Sequence, residues 1–143
     1  MLKIKKKIIN PFETVFVLGG TSEIANEICL NLVQNGTKKF HFVSRSKTKN
    51  KPFIEKLIQK FNVEVTVEEI DLLDCDLTTK RNIGYYDLYL IAAGYLGDSE
   101  LASKNAYEAL KISKVNYYSL IPWLNIITSK DRILQSGSLW VLT

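Results

Sequence analysis

The chain has 143 residues, one domain's worth, and carries a net charge of +4. It is 46% hydrophobic and 24% charged, with 7 Gly and 3 Pro, which argues against disorder, collagen-like repeats and low-complexity linkers. No apolar stretch approaches the roughly 20 residues of a membrane span, and the start, Met-Leu-Lys-Ile-Lys-Lys-Lys, lacks the apolar core and small-residue cleavage site of a secretory signal.

Residues 1–13 read as a basic extension, with Lys3, Lys5, Lys6 and Lys7 against Glu13. Thr14-Val-Phe-Val-Leu18 is an unbroken apolar run ending in Gly19-Gly20, which predicts a buried parallel strand. Ser22 is placed to cap a helix with Glu23 in its first turn. Ile24, Ala25, Ile28, Cys29, Leu32 and Val33 follow at helical spacing, and Asn35-Gly36 ends that helix. A second strand is expected over 40–44 and a second helix over 53–61, with Pro52 at its start. Residues 63–70 are β-branched and alternating, a third strand. The polar loop 71–85 is long enough for a short helix. A fourth strand spans 86–92 and stops at Ala93-Gly94. A long helical region covers 104–127, with Pro122 as the place for a kink, and a fifth strand covers 138–142.

Strands alternating with helices at this spacing predict a doubly wound, Rossmann-type α/β domain over 14–143, with a parallel sheet in the order 3-2-1-4-5. The fifth strand lies at the end of the chain. A parallel strand normally has a helix on its face, so the domain is expected to be incomplete there. Leu139, Trp140 and Leu142 would then form an exposed apolar patch, through which the chain would dimerise or aggregate.

The charge is unevenly spread. From Lys38 to Lys60 eight basic residues face the single acid Glu55, a net +7; from Phe61 to Glu100 nine acids face Lys80 and Arg81, a net −7. A confined basic block followed by an acidic one is not a nucleic-acid-binding face and points instead to a local anion site. Cys29 and Cys75 make neither a disulfide framework nor a metal pair, which fits a reducing cytoplasm. One His and no Cys-x-x-Cys argue against zinc.

The segment Gly19, Gly20, Thr21, Ser22, Glu23, Ile24 joins the first strand to the first helix. A glycine turn there lets backbone approach a diphosphate, and the helix N-terminus adds unpaired N–H groups and a positive dipole end. At the end of the second strand, dinucleotide folds that prefer NAD carry an acid for the ribose 2′-hydroxyl. This chain has Ser44, Arg45 and Ser46 instead. A guanidinium fork matches a phosphate and the hydroxyls can add donors, so NADP(H) is expected over NAD(H). The alternatives are a strand-to-helix turn without ligand and an Arg45 that only faces solvent.

In order along the chain, these residues resemble the short-chain dehydrogenase/reductase family. Gly-Gly-Thr-Ser-Glu-Ile-Ala25 is similar to its Thr-Gly-x-x-x-Gly-x-Gly loop, with Gly19 at the first glycine and Glu23 and Ala25 replacing the others. Asp71-Leu72 resembles the segment whose Asp contacts the adenine amino group, and Ala92-Ala93-Gly94 resembles Asn-Asn-Ala-Gly. Val115-Asn116-Tyr117 resembles the segment with the family's structural and proton-relay Asn, which would make Asn116 catalytic. The stretch Ala-Ala-Gly-Tyr-Leu-Gly-Asp98 is similar to a subgroup acting on polyisoprenyl-linked or nucleotide-linked sugars. The resemblance implies carbonyl/alcohol hydride transfer.

It also implies a Ser after the fifth strand and a Tyr-x-x-x-Lys on the next helix, and by that alignment the sequence stops just short of the Ser. The one such spacing, Tyr107 and Lys111, comes before Asn116, out of family order, and reads as a surface pair. Three functions follow: an NADP-dependent oxidoreductase whose chain is truncated or split, with a complementing C-terminal half or a homo-oligomer as its expected partner; a catalytically inactive dinucleotide-binding domain; and a different α/β binding module, which a strand order other than 3-2-1-4-5 would favour.

Overall fold

A computed structural model describes residues 12–76, 82–129 and 137–142. The N-terminal lysines, Lys80 and Arg81 lie outside the described residues, as does part of the loop expected to hold a short helix.

Five strands, β1 (Thr14–Leu18), β2 (Lys39–Ser44), β3 (Glu64–Glu69), β4 (Leu88–Ile91) and β5 (Ser138–Val141), form one sheet. Its order is β3-β2-β1-β4-β5, every pair parallel, as the alternation of strand and helix signals predicts. The helices are α1 (Glu23–Gln34), α2 (Lys47–Phe61), α3 (Ser99–Lys104), α4 (Ala106–Asn116) and α5 (Ile121–Ile127), with a 3₁₀ turn at Tyr118–Leu120.

Side chains alternate across a strand, and β1 shows why its run had to be continuous. Val15 and Val17 point into one core with Phe40, Phe42, Leu88 and Leu90, packed against Ala25, Cys29 and Leu32 of α1 and Leu57 of α2. Phe16 and Leu18 point into a second core with Val43, Tyr89, Ile91, Trp123 and Ile127. With both faces covered, the buried positions 15–18 of β1 are all apolar. The opposite end of the sheet is stapled by Asp87, whose Oδ2 accepts from the amides of Glu13 (2.9 Å) and Thr14 (2.8 Å).

Three expectations change in detail. Helix α2 begins at Lys47, not after Pro52, because Ser46 caps it and its Oγ accepts from the Lys49 amide. Pro52 lies inside the helix; the bond it cannot make falls on the carbonyl of Thr48, an exposed first-turn residue that water can satisfy. The long helical region is broken not at Pro122 but at Asn105 (φ −131°) and at Tyr117 (φ −136°). Pro122 sits in the first turn of α5, where no N–H is needed. In β5 the outward side chains are Trp140 and Val141, while Leu139 and Leu142 are half-buried against the two cores. Phe12 packs edge-on against the Trp140 ring.

Candidate functional site

Because every strand is parallel, the segments that follow β1 to β4 gather at one end of the sheet, together with Val141 and Leu142 at the end of β5. They enclose a cavity of about 720 Å³, located where the winding reverses between β1 and β4.

The turn after β1 is built on backbone contact. Gly19 has φ +99°, and a Cβ there would lie 2.4 Å from the Ala93 nitrogen and 2.5 Å from the Ala92 carbonyl carbon. Any side chain would push β1 and β4 apart. The amides of Gly19 and Gly20 both donate to the Val43 carbonyl (2.8 and 3.1 Å), tying the turn to β2. Ser22 caps α1, its Oγ accepting from the Ala25 amide at 3.3 Å. The amides of Thr21, Glu23 and Ile24 have no protein acceptor among the described residues, so they are open donors at the positive end of α1. Thr21, Ser22 and Ile24 line the cavity. Ile24, which the helical pattern would place inside, is 65% exposed at its wall. Glu23 faces solvent, and Gly20 rests on Phe42 and Asn50 instead of lining the cavity.

After β2, Ser44 and Arg45 line the cavity and Ser46 does not. Ser44 is buried, and its hydroxyl donates to the Ser46 carbonyl (3.3 Å). Both hydroxyls thus have local partners, and Arg45 is the exposed group with no protein partner among the described residues. The basic block divides on folding. Lys38 pairs with Glu13, Lys39 with Glu64 and Lys51 with Glu55; the Lys39 pKa is raised through its hydrogen bond to Glu64. Lys47 and Lys49 remain beside Arg45 on the first turn of α2, where the Glu69 carboxylate accepts from the Lys47 amide at 2.7 Å.

After β3, Asp71 and Leu72 line the cavity, and Asp71 Oδ1 accepts from the Leu73 amide at 2.9 Å. After β4, Ala92, Ala93 and Gly94 do so, and the Ala92 amide donates to the Leu18 carbonyl at 2.7 Å. Asn116 reaches the same wall from the last turn of α4. Its Nδ2 donates to the Tyr95 carbonyl (2.8 Å) and its Oδ1 accepts from the Tyr95 amide (2.7 Å).

The residues expected from sequence therefore converge, with Gly20, Glu23 and Ser46 standing behind the wall or outside it. The wall also includes Tyr95, Leu96, Val141 and Leu142, which sequence reasoning did not place there; their position just after strand ends was the available signal. The Tyr95 hydroxyl donates to Glu108 Oε1 (2.8 Å), and the Lys111 ammonium lies 4.5 Å from the Tyr95 ring centre. Its proximity to Tyr95 is the main cause raising the Lys111 pKa. Tyr107 is 75% exposed.

The KR domain family model matches residues 13–84, half of the chain. This chain belongs to the KR domain family. Solved structures extend the likeness over nearly all of it. A Shigella flexneri structure assigned as a short-chain dehydrogenase and complexed with NADP is 18% identical at TM-score 0.79, covering 95% of this chain and 60% of the other. An Escherichia coli one complexed with NADPH is 17% identical at TM-score 0.76, covering 95% and 60%. A second Shigella flexneri short-chain dehydrogenase is 19% identical at TM-score 0.78, covering 96% and 56%. At these identities the likeness shows the fold alone, a Rossmann-type parallel α/β sheet in the order β3-β2-β1-β4-β5. The KR domain chain spans about three fifths of the length of these relatives. The family match spans the glycine turn, Arg45 and Asp71, while Gly94 and Asn116 lie beyond it.

Proposed function

We propose that this KR domain binds NADP(H) and is the cofactor-holding part of an oxidoreductase acting between a carbonyl and an alcohol. The observation that carries the reading is one cavity wall with amides at the start of α1 and a guanidinium at the end of β2 that have no protein partner among the described residues. The residues fit the group. The amides of Thr21, Glu23 and Ile24 would hold the diphosphate, and Gly19 lets that backbone approach. Arg45, with Lys47 and Lys49 beside it, would hold the 2′-phosphate. Asp71 and Leu72 would border the adenine. NADPH supplies a hydride when bound.

The chain's own part is binding and orientation. Asn116 clamps Tyr95 by both backbone groups and so fixes the loop after β4 beside Gly94. Tyr95 and Leu96 line that end of the cavity, where a small or sugar-linked carbonyl substrate would enter. Calorimetric titration of the 143-residue chain tests the reading. Micromolar NADPH binding, at least tenfold tighter than NADH, is expected. Absence of binding of either at ~1 mM overturns it.

A second reading, dinucleotide binding without turnover, rests on the same clamp. Hydride transfer needs a titratable group to give or take a proton. Both amide atoms of Asn116 are engaged by Tyr95, and an amide does not titrate near neutral pH. NADPH binding with no NADPH oxidation across a panel of carbonyl compounds would favour this reading.

A further inference from the structure

The least satisfied buried group in the described residues lies directly under the glycine turn. Asn50, on α2, is 1% exposed, and neither its Nδ2 nor its Oδ1 has a partner. An orphaned buried amide is costly, and an apolar side chain of similar size would remove the cost. The position is an inward one on its helix, with Ile54 and Leu57 at i+4 and i+7, both buried. The polar side chain there needs a reason.

Its surroundings supply one. Asn50 Nδ2 lies 2.6 Å from where a Cβ on Gly20 would stand, with Phe42 3.0 Å from the same point. The missing side chain of Gly20 is thus the space that the Asn50 amide occupies. The Gly20 carbonyl and the Thr21 amide each lack a protein partner among the described residues. They belong to one peptide unit. In a trans peptide the C=O and N–H point to opposite sides, and no cis peptide is present among the described residues. A donor holding the Gly20 carbonyl from beneath would turn the Thr21 N–H outward to the cavity, which Thr21 lines.

We propose that Asn50 is a positioning residue for the phosphate turn. Its Nδ2 donates to the Gly20 carbonyl when an anion occupies the turn, and so presents the Thr21 amide to that anion. The proposal rests on the dinucleotide reading above. It predicts opposite effects on stability and binding, which a structural role alone does not give. Asn50→Leu should raise the melting temperature of the ligand-free chain, because it removes two orphaned polar atoms, while weakening NADPH binding at least tenfold. NADH affinity should fall by the same factor, because the diphosphate is common to both dinucleotides.

Asn50→Asp, of nearly the same shape but without the Nδ2 donor, should lose NADPH affinity to a similar degree and guards against misfolding of the first variant. Melting curves and calorimetric titrations of the parent and both variants decide the matter. Parent-like NADPH affinity in either variant overturns the role of Asn50. A loss confined to NADPH also overturns it, since that places the effect at Arg45. A parent chain that binds neither dinucleotide overturns the dinucleotide reading and this proposal with it.

Discussion

At the scale of single residues, the site depends on what is missing or unpaired. Gly19 cannot carry a side chain, since its φ of +99° and its 2.4 Å approach to the Ala93 backbone exclude one. Gly19→Ala should therefore destabilise the fold by about 1–3 kcal/mol and abolish dinucleotide binding, read by denaturant melts and calorimetry. Arg45 has the reverse character, exposed and without a protein partner among the described residues. Arg45→Ala should leave stability within about 0.5 kcal/mol, weaken NADPH binding about 10–100-fold and leave NADH binding unchanged. Equal losses for the two cofactors would remove Arg45 from the 2′-phosphate.

Cys29 gives a pH dependence. Burial pushes its thiol from 9.0 up to about 12. The folded state therefore keeps a proton that the unfolded chain releases, and stability should fall as pH rises from about 9 toward 12. Cys29→Ala should flatten that fall in urea melts taken across the range.

At the scale of elements, short polar contacts decide where helices begin and stop. The Ser46 cap starts α2 five residues before Pro52, and Asn105, whose Oδ1 accepts from the Tyr107 amide at 2.9 Å, opens α4. Such contacts can be seen in the sequence as cap residues, but their strength relative to a proline is set by the neighbouring strand. Here that neighbour is Glu69 on β3, which meets the first amide of α2. The loop after β4 depends on Asn116 in the same way. Asn116→Ala should release the Tyr95 backbone and raise amide hydrogen exchange over 94–98, with little change in β1 or β2. Unchanged exchange in that loop would show that Glu108, which accepts from the Tyr95 hydroxyl and the Asp98 amide, holds it without Asn116.

At the scale of the molecule, one face of the sheet is covered by α1 and α2 and the other by α4 and α5. No helix among the described residues is long and apolar enough to cross a membrane. The apolar surface left outside is large. Leu96, Leu101, Tyr107, Leu110, Tyr117 and Trp140 are all more than a third exposed, and Val141 on the outer strand is 48% exposed. Such surface in a chain of this size favours association. We expect concentration-dependent oligomers in light scattering after gel filtration, reduced by Trp140→Lys. A monodisperse monomer across the concentration series would argue against this.

Much of this was legible in the residues themselves. A strand buried on both faces must be continuously apolar, so β1 and β4 declared themselves. A glycine turn before a capped amphipathic helix, followed by an Arg at the end of the second strand, singled out the segments that the structure brings to one cavity wall. Those signals are local, because they arise from backbone geometry and from side chains a few residues apart. What only the tertiary structure decided is non-local. Among the described residues it paired three cations of the basic block with Glu13, Glu64 and Glu55 and left Arg45, like Lys47 and Lys49 that follow it, without an ion pair. It turned Lys111 onto the Tyr95 ring, and it buried Asn50 beside Gly20 with no partner among the described residues. Each of those outcomes depends on which groups the packed sheet brings within about 3–5 Å, and spacing along the chain does not encode that distance.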